Sequence, residues 1–507
     1  MTPPPPLSRR PAEAPSRVPA RGHRLLTDDA FQRVAGAPRV PGNRLRVLSD
    51  ARENYPAWLA AIESARRSVH LEMYIVHDDG IGRRFRDLLA AKARAGVTVR
   101  VLYDWFGSLR LIGGGMWAPL RAAGGEVRVA NPPSLDGVLG WVSRDHRKLL
   151  AVDGAEAFIS GLCIGDAWIG DPARKVEPWR DTGVQLSGPA VADAEAAFAA
   201  AWSLAGRPIP AGTLPRREDI PAAGPVAVRV IPTSPETAGL YRMDLLVATA
   251  ARQRLWLTDA YFMATLSYRQ ALCAAARDGV DVRLLVPHGS DVEWIANVSR
   301  TMYRALLEAG VRIFEWNGPM MHAKSAVADG RWTRIGSTNL NLSSWIGNWE
   351  LDVAVEDEGV ARVMEAIYLH DLANATEIVI TPRRKVRLQH AVPAGERSPA
   401  ALGSGSRMLT DAVRVGSVVS AAVKGYRTLG RPEASSLLSV GAVLLVLALV
   451  AVFLPRLVAY PLGVALGVTA ALLLIKAAQL YFGRSRAGTD VAPADVSERD
   501  PGAPGPP

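Results

Sequence analysis

Two eight-residue segments of the chain carry a histidine, a lysine and an aspartate at the same spacing. They read HRKLLAVD from His146 to Asp153 and HAKSAVAD from His322 to Asp329. The chain has only 8 His and 7 Lys among 507 residues. Random placement would therefore produce the pattern H-x-K-x4-D roughly 0.006 times. The two matches indicate a duplicated functional element.

The residue types in this element suit phosphodiester chemistry. In a strand, Lys148 and Lys324 would project from the same face as the histidine two residues before each of them. Phosphoryl transfer through a covalent enzyme needs a nucleophile, an acid for the leaving alkoxide and cations for the phosphate oxygens. Two imidazoles can share the first two roles, because histidine titrates near neutral pH. The sequence therefore predicts one phosphate site built from both copies, with no cofactor and no metal.

The aspartates of the motif, Asp153 and Asp329, belong to the candidate catalytic set by their position in the pattern. They follow the lysines by five residues, which places them on the opposite strand face. We expect them to play a structural role, either by accepting hydrogen bonds from nearby backbone or by tying the two halves together.

Polar residues downstream of each motif complete the candidate site. The second copy offers Ser337 and Asn339 as donors to phosphate oxygens, and Glu350 as a carboxylate partner for an imidazole. The first copy has Cys163 where the second has Asn339, and it offers Asp181 as its carboxylate. The two copies therefore differ in the groups that they can present to a phosphate.

The elements around both motifs follow an α/β order that occurs twice. Hydrophobic periodicity predicts strands at 68–76, 97–105, 252–262, 280–287 and 311–316, and helices at 82–96, 267–279 and 301–310. The segments ARAGVTVRVL and ARDGVDVRLL align almost residue for residue. This repetition predicts two duplicated lobes, at 43–205 and 226–380, joined by a linker at 206–225. We expect mixed sheets flanked by helices, with one active site shared between the lobes.

The C-terminal region is of another kind. Residues 434–455 and 457–475 contain no charged side chain, and each run is long enough to cross a bilayer as a helix. Basic residues flank both ends, so the sequence predicts a transmembrane hairpin at 434–482 with both ends in the cytoplasm. The alternative is a buried helical hairpin within a soluble fold. Residues 1–42 and 483–507 are predicted to be disordered.

The distribution of charge favours a membrane partner over a nucleic acid. The net charge is +10, but residues 49–380 hold 35 basic and 39 acidic side chains, whereas residues 381–431 have a net charge of +8. A basic segment beside apolar runs is typical of contact with an anionic membrane, although Arg-rich disorder would give a similar composition. Only two cysteines are present, which excludes a disulfide framework.

These motifs resemble those of the phospholipase D superfamily, whose signature is the doubled H-x-K-x4-D. The resemblance is closer to the bacterial cardiolipin synthases and covers residues 43–380. It rests on the segments GNRLRVLSD, SVHLEMYIV, RVLYDWFGS, DHRKLLAVDG, PWRDTGVQLSGPAV, HAKSAVADGRWTRIGSTNL and NWELDV, in that order. It implies two similar α/β lobes with the active site at their seam, and a phosphohistidine intermediate formed without metal.

The resemblance also implies a role for each residue. His146 would be the nucleophile, and His322 the general acid and later the general base. Glu350 would orient His322, and Asp181 would orient His146. The residues that would bind phosphate are Lys148, Lys324, Ser337 and Asn339.

The function implied is that of a cardiolipin synthase-type phosphatidyltransferase acting on phospholipids, with phosphatidylglycerol as the expected donor. We expect it at the inner membrane, with the lobes on the cytoplasmic side. The main alternative is a phospholipase D that hydrolyses phospholipids, since only the acceptor differs. A nucleic-acid phosphodiesterase uses the same motif, but the acidic body opposes it. A non-catalytic scaffold that binds phospholipid is the alternative that is not an enzyme.

Overall fold

The computed structural model describes most of the first 380 residues. The described ranges are 28–111, 113, 115–132, 143–171, 176–235, 237–380 and, for the backbone alone, 386–388. The chain divides into two compact units, 1–425 and 426–507, and every described residue belongs to the first. The predicted hairpin at 434–482 and the tail at 483–507 lie outside the described residues. Within the described ranges, no helix is long and apolar enough to cross a membrane.

The described residues form sixteen strands and ten α-helices. The strands are β1 (Val40–Ser49), β2 (Ser68–Met73), β3 (Thr98–Asp104), β4 (Glu126–Ala130), β5 (Lys148–Val152), β6 (Glu156–Ser160), β7 (Thr182–Ser187), β8 (Val226–Thr233), β9 (Arg254–Thr258), β10 (Asp281–Pro287), β11 (Arg312–Trp316), β12 (Ser325–Ala328), β13 (Trp332–Gly336), β14 (Glu350–Glu356), β15 (Ala375–Ile380) and β16 (Val386–Leu388). The helices are α1 (Asp28–Ala35), α2 (Asp50–Ser64), α3 (Gly80–Arg94), α4 (Ala118–Ala122), α5 (Asp166–Ile169), α6 (Val191–Leu204), α7 (Gly239–Ala250), α8 (Leu266–Arg277), α9 (Glu293–Glu308) and α10 (Glu358–Ala373).

All strands join one mixed sheet, in which the same strand order occurs twice. The full order is β16-β15-β11-β10-β9-β12-β13-β14-β8-β1-β7-β6-β5-β2-β3-β4. The run β3-β2-β5-β6-β7-β1 on one side of the β1–β8 contact corresponds to β10-β9-β12-β13-β14-β8 on the other. We call these the first and second half-sheets. The prediction of a mixed α/β fold is confirmed, and the repeated order fits the internal duplication.

The predicted strands and helices are present, and two of the strands end earlier than predicted, which affects the site. Helix α3 begins where the Asp79 side chain accepts a hydrogen bond from Gly82 N at 2.9 Å, and it is followed by Gly96 at φ +87°. The strands predicted at 68–76 and 252–262 end earlier, at Met73 and Thr258. The residues that follow Met73 and Thr258 leave the strands and turn toward the two motifs.

Residues 28–42 contradict the prediction of a disordered N-terminus. They form α1 and the start of β1, and Phe31 is 1% exposed. Arg229 of β8 donates hydrogen bonds to Ala37 O at 2.8 Å and to the Asp28 carboxylate at 3.1 Å. The prediction from Pro- and Arg-rich composition is wrong here, because a short amphipathic helix with one buried aromatic residue is enough to dock this segment.

One layer of the core contains residues of both half-sheets. Val184 and Phe198 from the first half-sheet side belong to the same apolar cluster as Val353 and Met364 from the second. All four are buried. Burial of this shared layer stabilises the junction between the half-sheets, because separating them would expose it to water.

Candidate active site

His146 lies just before β5 and is held by a segment from the second half-sheet. Its backbone N donates to Trp349 O at 2.9 Å, immediately before β14. Its side chain is buried, and Nδ1 lies 2.9 Å from Glu350 Oε2. The histidine therefore precedes the strand instead of lying in it, and Lys148 is the first residue of β5.

His322 has the corresponding arrangement with the halves exchanged. It lies before β12, and its backbone N donates to Arg180 O at 2.7 Å, just before β7. Its Nδ1 lies 2.7 Å from Asp181 Oδ2. Both members of this pair are buried. Each motif histidine is thus fixed by backbone and carboxylate from the opposite half-sheet.

This exchange corrects the carboxylate pairing that the family resemblance implied. Glu350 contacts His146, not His322, and Asp181 contacts His322, not His146. The reason is the sheet: the segments that enter β14 and β7 form parallel bridges to the opposite motif, Asp145 with Trp349 and Arg180 with Met321. No signal within one copy could have revealed this, since it depends on how the two halves dock.

The Nδ1 contacts leave the other ring nitrogen for chemistry. When each carboxylate accepts the Nδ1 hydrogen, Nε2 keeps its lone pair. Burial lowers the pKa of both histidines well below the ordinary value, and the nearby lysines lower it further. Burial raises the pKa of Glu350 to about 7 and that of Asp181 to about 6. The resting imidazoles are neutral and oriented, which suits a nucleophile or a base.

The two lysines bring positive charge into the same buried region. Lys148 Nζ donates to His146 O, and Lys324 Nζ donates to His322 O. Burial lowers the pKa of Lys324 to about 8, an effect that Asp181 opposes. Both lysines contribute to the lowered pKa of each histidine, which places the two motifs in one electrostatic environment. This arrangement can bind a phosphate between the two histidines.

Aromatic rings line the site, and the sequence reasoning missed them. Tyr74 lies 4.7 Å from the His146 ring, between ring centroids. Around His322 lie Tyr261 at 5.9 Å, Trp168 at 5.9 Å and Trp179 at 5.6 Å. Tyr74 directly follows β2, and Tyr261 lies three residues after the end of β9. The signal was an aromatic residue shortly past a buried strand that neighbours a motif strand.

Asp153 and Asp329 do not belong with the catalytic groups. Each begins the turn after its motif strand, at φ +55° and +51°, and is followed by a glycine with positive φ. Asp153 accepts hydrogen bonds from the backbone N of Arg66, Arg67 and Ser68, and Asp329 accepts them from Arg252, Gln253 and Arg254. This matches the expected acceptance of backbone hydrogen bonds. An Asp-Gly pair suits this hairpin turn because both residues tolerate positive φ.

Of the remaining predicted residues, Ser337 is linked to His146 through Glu350. Ser337 Oγ donates to Glu350 Oε2 at 2.5 Å and accepts from Leu351 N at 2.9 Å, so it holds the carboxylate that contacts His146. Asn339 is buried, and its Oδ1 has no hydrogen-bond partner. Cys163 is also buried. Within the described ranges, no group of three or more His, Cys, Asp or Glu is placed to hold a metal ion.

The fold and the doubled motif define a phospholipase D-like protein, and three comparisons extend this. Residues 247–372 match the family model described as cardiolipin synthase, PLD-like domain. A cardiolipin synthase A of Pseudomonas syringae pv. syringae is 32% identical over 372 residues, which are 71% of this chain and 75% of that protein. A cardiolipin synthase of Alkalihalophilus pseudofirmus is 32% identical over 361 residues, 70% of this chain and 71% of that protein.

A solved structure shares the fold. The phosphatidylserine synthase of Haemophilus influenzae Rd KW20 superimposes with a TM-score of 0.55 at 13% identity, over 69% of this chain and 91% of that one. At such low identity the likeness concerns the fold alone. The curated relatives carry the family assignment: the chain belongs to the bacterial cardiolipin synthases of the phospholipase D superfamily.

Proposed function

We propose that the protein is a cardiolipin synthase-type phosphatidyltransferase in which the two half-sheets share one active site. It moves a phosphatidyl group from one phospholipid, with phosphatidylglycerol as the expected donor, to a hydroxyl group of a second. The observation that carries the proposal is the crossed arrangement of the histidines. His146 and His322 each contact a carboxylate of the opposite half-sheet, which supports a single composite site.

In the first step, His146 Nε2 attacks phosphorus and the bond to the headgroup oxygen breaks. His322 gives its Nε2 proton to the leaving alcohol. A bound phosphodiester favours this proton, because a nearby negative charge stabilises an imidazolium. Asp181 stabilises the same cation from the Nδ1 side. The lysines Lys148 and Lys324 hold the non-bridging oxygens, where charge develops.

In the second step, the acceptor hydroxyl gives its proton to His322 Nε2. The acceptor oxygen bonds to phosphorus, and the bond from phosphorus to His146 breaks. Water in the acceptor position would turn the same sequence into hydrolysis. The balance between transfer and hydrolysis therefore depends on how the site binds the acceptor alcohol.

We place the reaction at the cytoplasmic face of the inner membrane. The apolar runs at 434–455 and 457–475 support this location, and so does an apolar surface beside the site. Leu266 is 62% exposed, Leu342 55% and Ile346 41%. The segments that carry them are joined where Met263 N donates to Leu340 O at 3.1 Å, one residue after Asn339. Such a surface can enter the lipid interface next to the site.

The test is to incubate the purified full-length protein with defined phospholipids and to identify the products by mass spectrometry. We expect cardiolipin from phosphatidylglycerol, and loss of product in His146→Ala and in His322→Ala. Release of phosphatidic acid alone would favour the hydrolase. Full activity of either variant would refute the shared site.

A further inference from the structure

A tyrosine and an aspartate on the second half-sheet side form a hydrogen-bonded pair that the two chemical steps leave unused. Tyr261 follows β9, and its hydroxyl donates to Asp291 Oδ1 at 2.8 Å. Asp291 follows β10, in the loop before α9, and the Ser290 hydroxyl lies 3.4 Å from the same oxygen. Tyr261 and Asp291 are both half-buried, whereas His322 is buried. The pair therefore lies nearer to solvent than the histidine does.

This pair adjoins the acceptor side of the proposed reaction. The Tyr261 ring lies 5.9 Å from the His322 ring, and Lys324 Nζ lies 5.9 Å from the Tyr261 centroid. Across the junction, Tyr74 covers His146. Burial raises the pKa of Tyr74, and among the carboxylates that add to this effect is Asp291. Asp291 therefore contacts Tyr261, the neighbour of His322, and is close enough to Tyr74 to act on it electrostatically.

The first half-sheet has a carboxylate with different partners at the end of β3, the strand that corresponds to β10. Asp104 ends β3 and is fully buried. It accepts backbone hydrogen bonds from Phe106 at 2.9 Å, from Gly107 at 3.0 Å and from Asp145 at 2.8 Å. Its oxygens are occupied in holding the chain before His146. Asp291 instead accepts from side-chain hydroxyl groups, which is the kind of donor that an alcohol provides.

We propose that Asp291 and Tyr261 form a subsite for an acceptor that carries neighbouring hydroxyl groups, such as a glycerol headgroup. The inference rests on the proposed function, because it concerns the second step. One hydroxyl donates to the Asp291 carboxylate, and the Tyr261 oxygen can accept from the same polyol. The adjacent hydroxyl then gives its proton to His322 Nε2, its oxygen bonds to phosphorus, and the bond to His146 breaks.

The chemistry of the pair selects against the competing occupants. A carboxylate repels an anionic phosphate, so this position does not suit the donor phosphodiester. A water molecule has no second hydroxyl group, so it cannot contact Asp291 and attack phosphorus through a separate oxygen as a polyol can. A monohydric alcohol forgoes the Asp291 contact, and the loss of this hydrogen bond to a carboxylate costs affinity. The subsite thus favours transfer to a polyol over transfer to water.

The experiment compares acceptors with the purified full-length protein and phosphatidylglycerol in detergent micelles. Deuterated glycerol, 1,2-propanediol and 1-propanol are supplied in turn, and transfer and hydrolysis products are quantified together. The label is needed because transfer to unlabelled glycerol would regenerate the donor phosphatidylglycerol. For the wild type we expect transfer to glycerol to exceed transfer to 1-propanol. In Asp291→Asn and Tyr261→Phe this preference should fall about tenfold, as for a lost hydrogen bond to a charged group. The ratio of hydrolysis to transfer should rise.

Asp281→Asn is the matched control. Asp281 also accepts from an aromatic side chain, Trp256 Nε1 at 3.0 Å, but it begins β10, at the end of the strand remote from the loop that carries Asp291. This variant should keep the wild-type acceptor preference. Unchanged preference in Tyr261→Phe, which retains the ring, would overturn the subsite. Failure of the wild type to transfer to any alcohol would instead overturn the proposed function.

Discussion

The two half-sheets share a scaffold but surround their histidines differently. In both, an aspartate after the motif strand accepts three backbone hydrogen bonds, and a carboxylate from the other half contacts Nδ1. Near His322 lie three aromatic rings, including Trp168 and Trp179, whereas near His146 lies Tyr74. Duplication thus preserved the geometry of the histidines, while the surfaces that meet substrate diverged. The divergence suggests that the two histidines perform different steps.

The largest loss of activity should come from removing either histidine. A substrate with a better leaving group then distinguishes the roles of the two histidines. We expect His146→Ala and His322→Ala each to lose at least about 10³-fold in cardiolipin formation. A phosphatidyl ester of p-nitrophenol needs no acid to leave. It should therefore restore nitrophenol release as a burst in His322→Ala, with the phosphatidyl group trapped on His146. His146→Ala should show no burst. The opposite pattern would exchange the two roles.

Replacing the carboxylates that contact the histidines of the opposite half-sheet should cause the next largest loss of activity. Glu350→Gln and Asp181→Asn should each lower the rate of headgroup release by roughly 10²-fold, because an amide fixes the imidazole less well and does not stabilise its cation. The rate of headgroup release should also be measured in the double variant. If Glu350 acts through His146, Glu350→Gln lowers the rate little further once His146→Ala is present. Additive losses within that pair would contradict the contact.

The pH dependence of activity should have two limbs. As the pH falls through about 7 and about 6, Glu350 and Asp181 gain protons and no longer accept the Nδ1 hydrogen, so the rate falls. As the pH rises through about 8, Lys324 loses its charge and the rate falls again. A profile of the rate of headgroup release against pH measures both limbs. Lys324→Arg should extend the basic limb to higher pH, since arginine stays charged. An unchanged limb would mean that another group causes the loss of rate at high pH.

Much of this site could be predicted from local pattern, and the remainder depends on docking. The spacing within each motif identified His146 and His322, and the parity of the aspartates indicated their structural role. The partner of each histidine could not be assigned, because Glu350 and Asp181 reach across the junction between the halves. Tyr261 was missed for a related reason. It was read as the end of a strand, but the strand ends at Thr258 and the chain turns toward the site.

The turn aspartates should affect stability about equally in the two halves. Asp153→Ala and Asp329→Ala each remove the acceptor for three backbone N–H groups and place alanine at positive φ. We expect each to lower the free energy of unfolding by about 2 to 3 kcal/mol, as measured by urea denaturation. Asp153→Asn and Asp329→Asn should cost less, because asparagine tolerates this backbone conformation. A selective loss of turnover without loss of stability would return these residues to the catalytic set.

The smallest effect should come from making the first half-sheet resemble the second. Cys163 and Asn339 are both buried, and Lys148 and Lys324 act electrostatically on the Cys163 thiol. This thiol provides only a weak donor. Burial raises the pKa of this thiol, so it stays neutral and does not oppose a bound phosphate.

Cys163→Asn would add an amide donor beside Lys148. We expect it to lower the KM for the donor phospholipid a few-fold, by about the net contribution of one hydrogen bond. Asn339→Cys, the reciprocal change, should raise the KM more than Cys163→Asn lowers it, because it removes a buried amide donor that the second half-sheet already has. If both variants left the KM unchanged, neither half-sheet would bind phosphate through this position, and the difference between Cys163 and Asn339 would have no part in the chemistry.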